Sequence, residues 1–203
     1  MMKKNSLFGS VTMLVVLAFL VSGCAGTVKN MREVPADRAE VIPEKGKAVI
    51  VFMRPSGMGF AIQSSVFEIK DENPSSLAGI VAAKTKVAYR LDPGKHLFMV
   101  VGESADFMTA DVQPGKTYYA YVTPRMGMWK ARFSLEPKHQ QELSSADFNS
   151  ALENCIWVEK STDSENWMQD NIESIKSKRA EYYPEWMQKP EVERPHLLPE
   201  DGK

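Results

Sequence analysis

The sequence predicts a mainly β fold, an antiparallel β-sandwich or small barrel of about seven strands, carrying a helical C-terminal extension. Three observations predict it. Between residues 48 and 135, short apolar or alternating segments succeed one another, with turn residues between them and no helical period. Two closely similar Pro-Gly turns interrupt this region 21 residues apart (93 to 114). After residue 136 the apolar spacing becomes helical and the charge balance reverses: residues 25–135 carry 15 Lys+Arg against 11 Asp+Glu, and residues 136–203 carry 8 against 15.

The first strand is the clearest. Ala48-Val49-Ile50-Val51-Phe52-Met53 is apolar on both faces and rich in β-branched residues, and Arg54-Pro55-Ser56-Gly57 stops it. That describes a central strand buried on both sides. Residues 64–69 supply a second strand. Thr85, Val87, Tyr89 and Leu91 alternate with Lys84, Lys86, Ala88 and Arg90, while Trp129, Ala131, Phe133 and Leu135 alternate with Lys130, Arg132 and Ser134. Both patterns describe strands with one buried face. Segments 97–101, 107–112 and 117–123 complete the set. Leu91-Asp92-Pro93-Gly94-Lys95-His96-Leu97-Phe98 is echoed by Val112-Gln113-Pro114-Gly115-Lys116-Thr117-Tyr118-Tyr119. Proline pre-sets φ at the first central turn position and glycine accepts positive φ at the second, so each pair specifies a type II turn leading into a strand. The two segments are expected to be equivalent corners of a sheet, with Lys95 and Lys116 as solvated turn lysines.

The flanks differ. Residues 25–46 are polar, without sustained period, and contain Pro35 and Pro43. They predict a tether of about 25 Å root-mean-square length. Residues 147–157 predict a short helix, and Thr162-Asp163-Ser164 offers N-caps for a helix over 165–182. Met168, Ile172 and Ile175 give that helix a narrow apolar stripe, suited to packing on the sheet and too narrow for a membrane. Asp163 and Glu165 early, with Lys176, Lys178 and Arg179 late, complement its dipole. Residues 184–203, with Pro190, Pro195 and Pro199, read as a loose tail or, as the alternative, a partner-binding strip. The divisions are therefore 1–23, 24–46, 47–136, 137–183 and 184–203.

Lys3 and Lys4 precede an apolar run over 7–21 that ends in Val21-Ser22-Gly23-Cys24. The run is shorter than the roughly 20 residues that span a bilayer. This arrangement resembles a bacterial lipoprotein signal peptide with its lipobox. The resemblance implies that the Cys24 thiol takes a diacylglycerol, that residues 1–23 are removed and the new amino end is acylated as well (palmitate is typical), and that the chain is attached to an envelope membrane. Ala25 and Gly26 follow the cysteine where an inner-membrane retention signal would place aspartate, so the resemblance implies the outer membrane in a two-membrane host. A second likeness covers residues 46–135: an apolar strand ending Arg54-Pro55, then the two Pro-Gly-Lys turns at Pro93 and Pro114, is similar to an uncharacterised β-rich lipoprotein domain with PEGA-type turns. That likeness implies an envelope-surface β-sandwich and carries no catalytic residues.

The chain of 203 residues has a formal net charge of −1, which excludes the basic footprint of a nucleic-acid binder. With Cys24 acylated, Cys155 has no disulfide partner and is expected as a small buried apolar residue. His96, His139 and His196 stand alone, without zinc-ligand spacing. No Gly-x-Ser-x-Gly, Ser-x-x-Lys or His-Glu-x-x-His occurs, and no phosphate-cradling loop, so no catalytic residue, cofactor or metal is expected. One pattern stands out. Gly57-Met58-Gly59-Phe60 and Met126-Gly127-Met128-Trp129 each set methionine beside glycine and an aromatic residue in an expected hairpin tip. Brought together, Met58, Phe60, Met126, Met128 and Trp129 make a soft apolar surface for a partner; otherwise they close the core, and thioether capture of Cu(I) is the weakest reading. The function expected is a non-catalytic, membrane-anchored envelope lipoprotein acting as an interaction or assembly module for an envelope protein partner. The alternative is an accessory hydrolase or binding protein for an envelope polymer.

Overall fold

The computed structural model describes residues 28–38, 41–125 and 132–203. The signal-like segment and Cys24, together with Met126, Met128 and Trp129, lie outside the described residues. Eleven strands form among those described: β1 (Met31–Val34), β2 (Ala48–Arg54), β3 (Ser64–Lys70), β4 (Asn73–Val81), β5 (Thr85–Leu91), β6 (Gly94–Val101), β7 (Ala105–Val112), β8 (Thr117–Arg125), β9 (Arg132–Pro137), β10 (Ile156–Lys160) and β11 (His196–Leu197). Two α-helices join them, α1 (Ala146–Asn154) and α2 (Thr162–Gln188). The strands make two open sheets, one in the order β1-β10-β5-β2-β8-β9 and the other β11-β7-β6-β3-β4.

The two sheets face one another. Ile50 and Phe52 of β2, Val66 of β3, Phe98 and Val100 of β6 and Met108 of β7 meet in the space between them. Each outer face is closed by a helix. Phe67, Leu77, Met99 and Phe107 pack under Met168, Ile175 and Trp186 of α2, while Val49, Val51, Met53 and Tyr119 pack under Phe148 of α1. The order is helix, sheet, sheet, helix, and β2 is buried along its whole length as its apolar run requires.

The mainly β character and C-terminal helix hold, while the finer expectation is corrected in count and pairing: eleven strands, not seven, and mixed sheets with no closed barrel. β2 runs parallel to β8, β10 parallel to β5 and β11 parallel to β7. Parallel neighbours need long crossovers. Between β2 and β8 the chain provides one by building β3 and β4 of the second sheet, returning to the first as β5, and building β6 and β7 of the second. The two Pro-Gly turns mark two of the switches between sheets, since β5 to β6 crosses one way and β7 to β8 the other, and Gly94 sits opposite Val112. Gly115 has φ +78°, the value a type II turn demands, while Gly94 lies at +127°.

Strand β4 escaped the sequence reading because Asn73-Pro74-Ser75-Ser76 looks like a turn. β4 is an edge strand, where proline costs no ladder bond. Asp71 and Glu72 both adopt positive φ between Lys70 and Asn73, giving a two-residue hairpin loop without the usual glycine. Residues expected as tether include β1, which pairs with β10; residues expected to end the first helix form β10, whose Ile156-Trp157-Val158 suits a strand. α2 runs past Pro184 to Gln188, because Tyr183 and Trp186 both pack their rings on Phe107, at 5.1 and 5.8 Å between centroids. Lys176, Lys178 and Arg179 therefore lie mid-helix and do not complement its C-terminus.

The expected loose tail is built in. Leu197 is fully buried in the intersheet core, and Asp201 is 2% exposed. Its carboxylate accepts from the Leu198 N–H at 2.7 Å, the Gln140 N–H at 3.2 Å and His139 Nδ1 at 2.9 Å. Proline removes donors without removing the pairing capacity of its neighbours, so the segment docks although it cannot fold alone. Replacing Asp201 with alanine leaves two backbone donors unpaired, and we expect urea unfolding to show a loss of about 2 kcal/mol. A loss near zero would mean the segment contributes nothing to the folded state.

Candidate interaction site

β2 and β8 are parallel neighbours, with Met53 beside Tyr121. Their C-terminal ends therefore lie at the same end of the sheet. The loop 55–63 leaves from β2 there, and residues 126–131 connect β8 to β9 there, so the two segments carrying methionine and aromatic residues start from adjacent strands. Met58, Phe60 and Ile62 are 53, 67 and 41% exposed. They are large apolar side chains held in water on one loop.

A buried arginine fixes that loop. Arg54, the last residue of β2, is fully buried. Its guanidinium donates to the carbonyls of Ile62 at 2.6 Å, Met58 at 2.5 Å and Gly59 at 2.9 Å. The same group stacks 4.8 Å from the centre of the Phe133 ring, at the start of β9. Burial lowers the Arg54 pKa from its ordinary value, and the carbonyl dipoles and the aromatic face take the place of a counter-ion. The arginine thus ties the loop to the root of the second segment. Gly59, at φ +62°, provides the left-handed turn that brings its carbonyl inward.

A second polar cluster lies at the opposite end of the intersheet space. Glu68 of β3 is 1% exposed. Its carboxylate accepts from Tyr89 of the facing sheet at 2.5 Å and contacts His96 Nδ1 at 2.7 Å, with Lys70 at 3.3 Å. Burial pushes the Glu68 carboxyl up, but the His96 and Tyr89 hydrogen bonds and the Lys70 charge outweigh it and hold the pKa below the ordinary value. Burial, and then Glu68, push the Tyr89 hydroxyl up. Both ring nitrogens of His96 are engaged in this carboxylate–histidine pair. His96 Nδ1 faces Glu68, and Nε2 meets the Asp92 carbonyl at 2.9 Å. What the cluster does is bridge the sheets. Sequence reading treated His96 as isolated; the available signal was Glu68, a carboxylate two residues from Val66 on the inward register of its strand.

Cys155 is 3% exposed and burial raises its thiol pKa, which suits the small apolar role expected of it. Among the described residues no group of three or more His, Cys, Asp or Glu side chains is placed to hold a metal ion, and no helix is long and apolar enough to cross a membrane. The chain matches no family model and no curated protein.

Proposed function

We propose that this chain is a non-catalytic, membrane-anchored envelope lipoprotein that acts as an interaction or assembly module. The observation that carries the proposal is the Arg54-fixed loop exposing Met58, Phe60 and Ile62 beside the root of the segment that bears Met126, Met128 and Trp129. A fixed apolar loop loses little conformational entropy when a partner covers it. The order of basic, apolar and lipobox residues supports the anchor at Cys24.

Strand β1 sharpens this reading. Val28 packs against the intersheet core and Met31 opens β1, so four residue steps (24 to 28) separate an acylated Cys24 from the domain. They reach at most about 14 Å. The domain would sit close to the lipid, closer than the full tether expected from sequence. β1 runs in the same sense as β2, so the chain enters the sheet travelling toward the Met58 loop. An anchor behind it turns that loop away from the bilayer, toward a protein in the envelope.

The test is cross-linking of the acylated chain in intact cells, with Cys24→Ser as the unanchored control and Met58→Ser plus Phe60→Ser as the surface variant. Both side chains are exposed, so the variant's stability should stay within about 0.5 kcal/mol of the parent. Capture of a protein partner that both variants lose is the expected outcome. Capture unchanged by the loop variant would sink the interaction reading of this surface.

A further inference from the structure

The end of α2, the segment that follows it and the first residues of β7 and β9 enclose a cavity of about 360 Å³. That volume falls in the range of small-molecule sites. Six charged side chains line it: Asp106, Arg125, Arg132, Glu185, Lys189 and Glu193. Half of them are committed to pairs. Lys189 is held by Asp106 at 3.6 Å, and the Arg125 guanidinium interacts with Glu136. Glu185 and Glu193 on the helical side and Arg132 on the strand side are exposed and have no hydrogen bond or ion pair among the described residues. The cavity therefore offers uncommitted negative charge on one wall and uncommitted positive charge on the other.

The walls also hold polar groups that nothing answers. Trp186 is 3% exposed, and its indole N–H has no partner. Ser104 and Ser134 are 7 and 3% exposed, and neither hydroxyl has a hydrogen bond among the described residues. A buried donor without an acceptor costs stability, and folded proteins keep few of them. All three residues line the cavity, where the acceptors of a ligand would meet them.

We propose that this cavity binds a short peptide with free termini. Its ammonium group lies on Glu185 and Glu193, its carboxylate on Arg132, and its amide carbonyls accept from the Trp186 indole and the two serines. Charge-assisted hydrogen bonds at the two ends supply selectivity, and the unanswered donors between them fix the orientation. A chain blocked at either end sets an uncharged group where the wall holds an unpaired ion. The site is additional to the Met58 surface and goes beyond the assembly-module reading, because its ligand is a small molecule rather than a second protein.

The test titrates trialanine into the full chain in detergent micelles, with N-acetyl-trialanine and trialanine amide as comparisons. Saturable binding that shifts the Trp186 indole N–H resonance is expected, and each blocked peptide should bind at least about tenfold more weakly. Glu185→Gln with Glu193→Gln should abolish the preference for the free amine, and Arg132→Gln the preference for the free carboxylate. All three positions are exposed, so both variants should keep the unfolding midpoint of the parent. Absence of saturable binding, equal affinity for the three peptides, or binding that leaves the Trp186 resonance unmoved would each overturn the proposal. Capture of a protein partner through the Met58 loop in cells does not depend on any of these outcomes, so the assembly reading and this site fail separately.

Discussion

Arg54→Ala is expected to lower the unfolding free energy by about 3–5 kcal/mol, because it removes the donor to three carbonyls and the stack on Phe133 together. The side chain is fully buried, so its aliphatic stem is lost from the packing as well. Part of the deficit is recovered when the freed loop turns its carbonyls to water, which keeps the figure below the sum of three charged hydrogen bonds. Two readouts separate this from an ordinary core truncation. Urea unfolding should show a lower midpoint with an unchanged slope, and limited proteolysis should open a new cut between Ser56 and Gln63 while the domain stays folded. Arg54→Lys should recover less than half of the loss, since one ammonium cannot meet three carbonyls from a planar fork. A loss under about 1 kcal/mol with the loop still resistant would show that Arg54 does not fix the surface. The partner-binding reading would then lose its pre-organised loop.

The same loop shows why sequence legibility was uneven. The strand before it was plain because a strand buried on both faces is written in consecutive residues, and 48–53 are six apolar residues in a row. The sheet corners were plain because Pro-Gly chemistry is local. Pairing is not local. Nothing near Ile156 announces that it lies beside Thr85, and β1 and β11, with four and two residues, are too short to show a period. They are strands because a neighbour already offers an edge. The C-terminal segment misled for the reverse reason: its prolines argue correctly against autonomous folding, yet Leu197 finds its place in a core built by other elements. Arg54 itself read as a strand terminator, the ordinary role of an arginine before proline. Only the three-dimensional return of 58–62 makes it a clamp.

Glu68→Gln is the second large effect, and its sign depends on pH. At neutral pH the substitution removes the charged acceptor shared by Tyr89 and His96 and leaves one of them poorly matched inside the sandwich, at a cost of about 2–4 kcal/mol. The folded-state pKa of Glu68 is lowered, so the unfolded chain takes up its proton first as pH falls. The stability this carboxylate contributes is therefore fully present above the ordinary glutamate value of 4.5 and is lost as pH drops through the lower folded-state value. Glutamine has no such dependence. Other carboxylates whose pKa is also lowered, Asp92 and Glu136, titrate in parent and variant alike and drop out of the difference between the two proteins. Urea unfolding of both from pH 7 to about pH 3 should show the gap narrow steadily below 4.5. A gap that is constant across the range would mean that the bridge between Glu68, Tyr89 and His96 holds the sheets by shape alone, with no contribution from its charge.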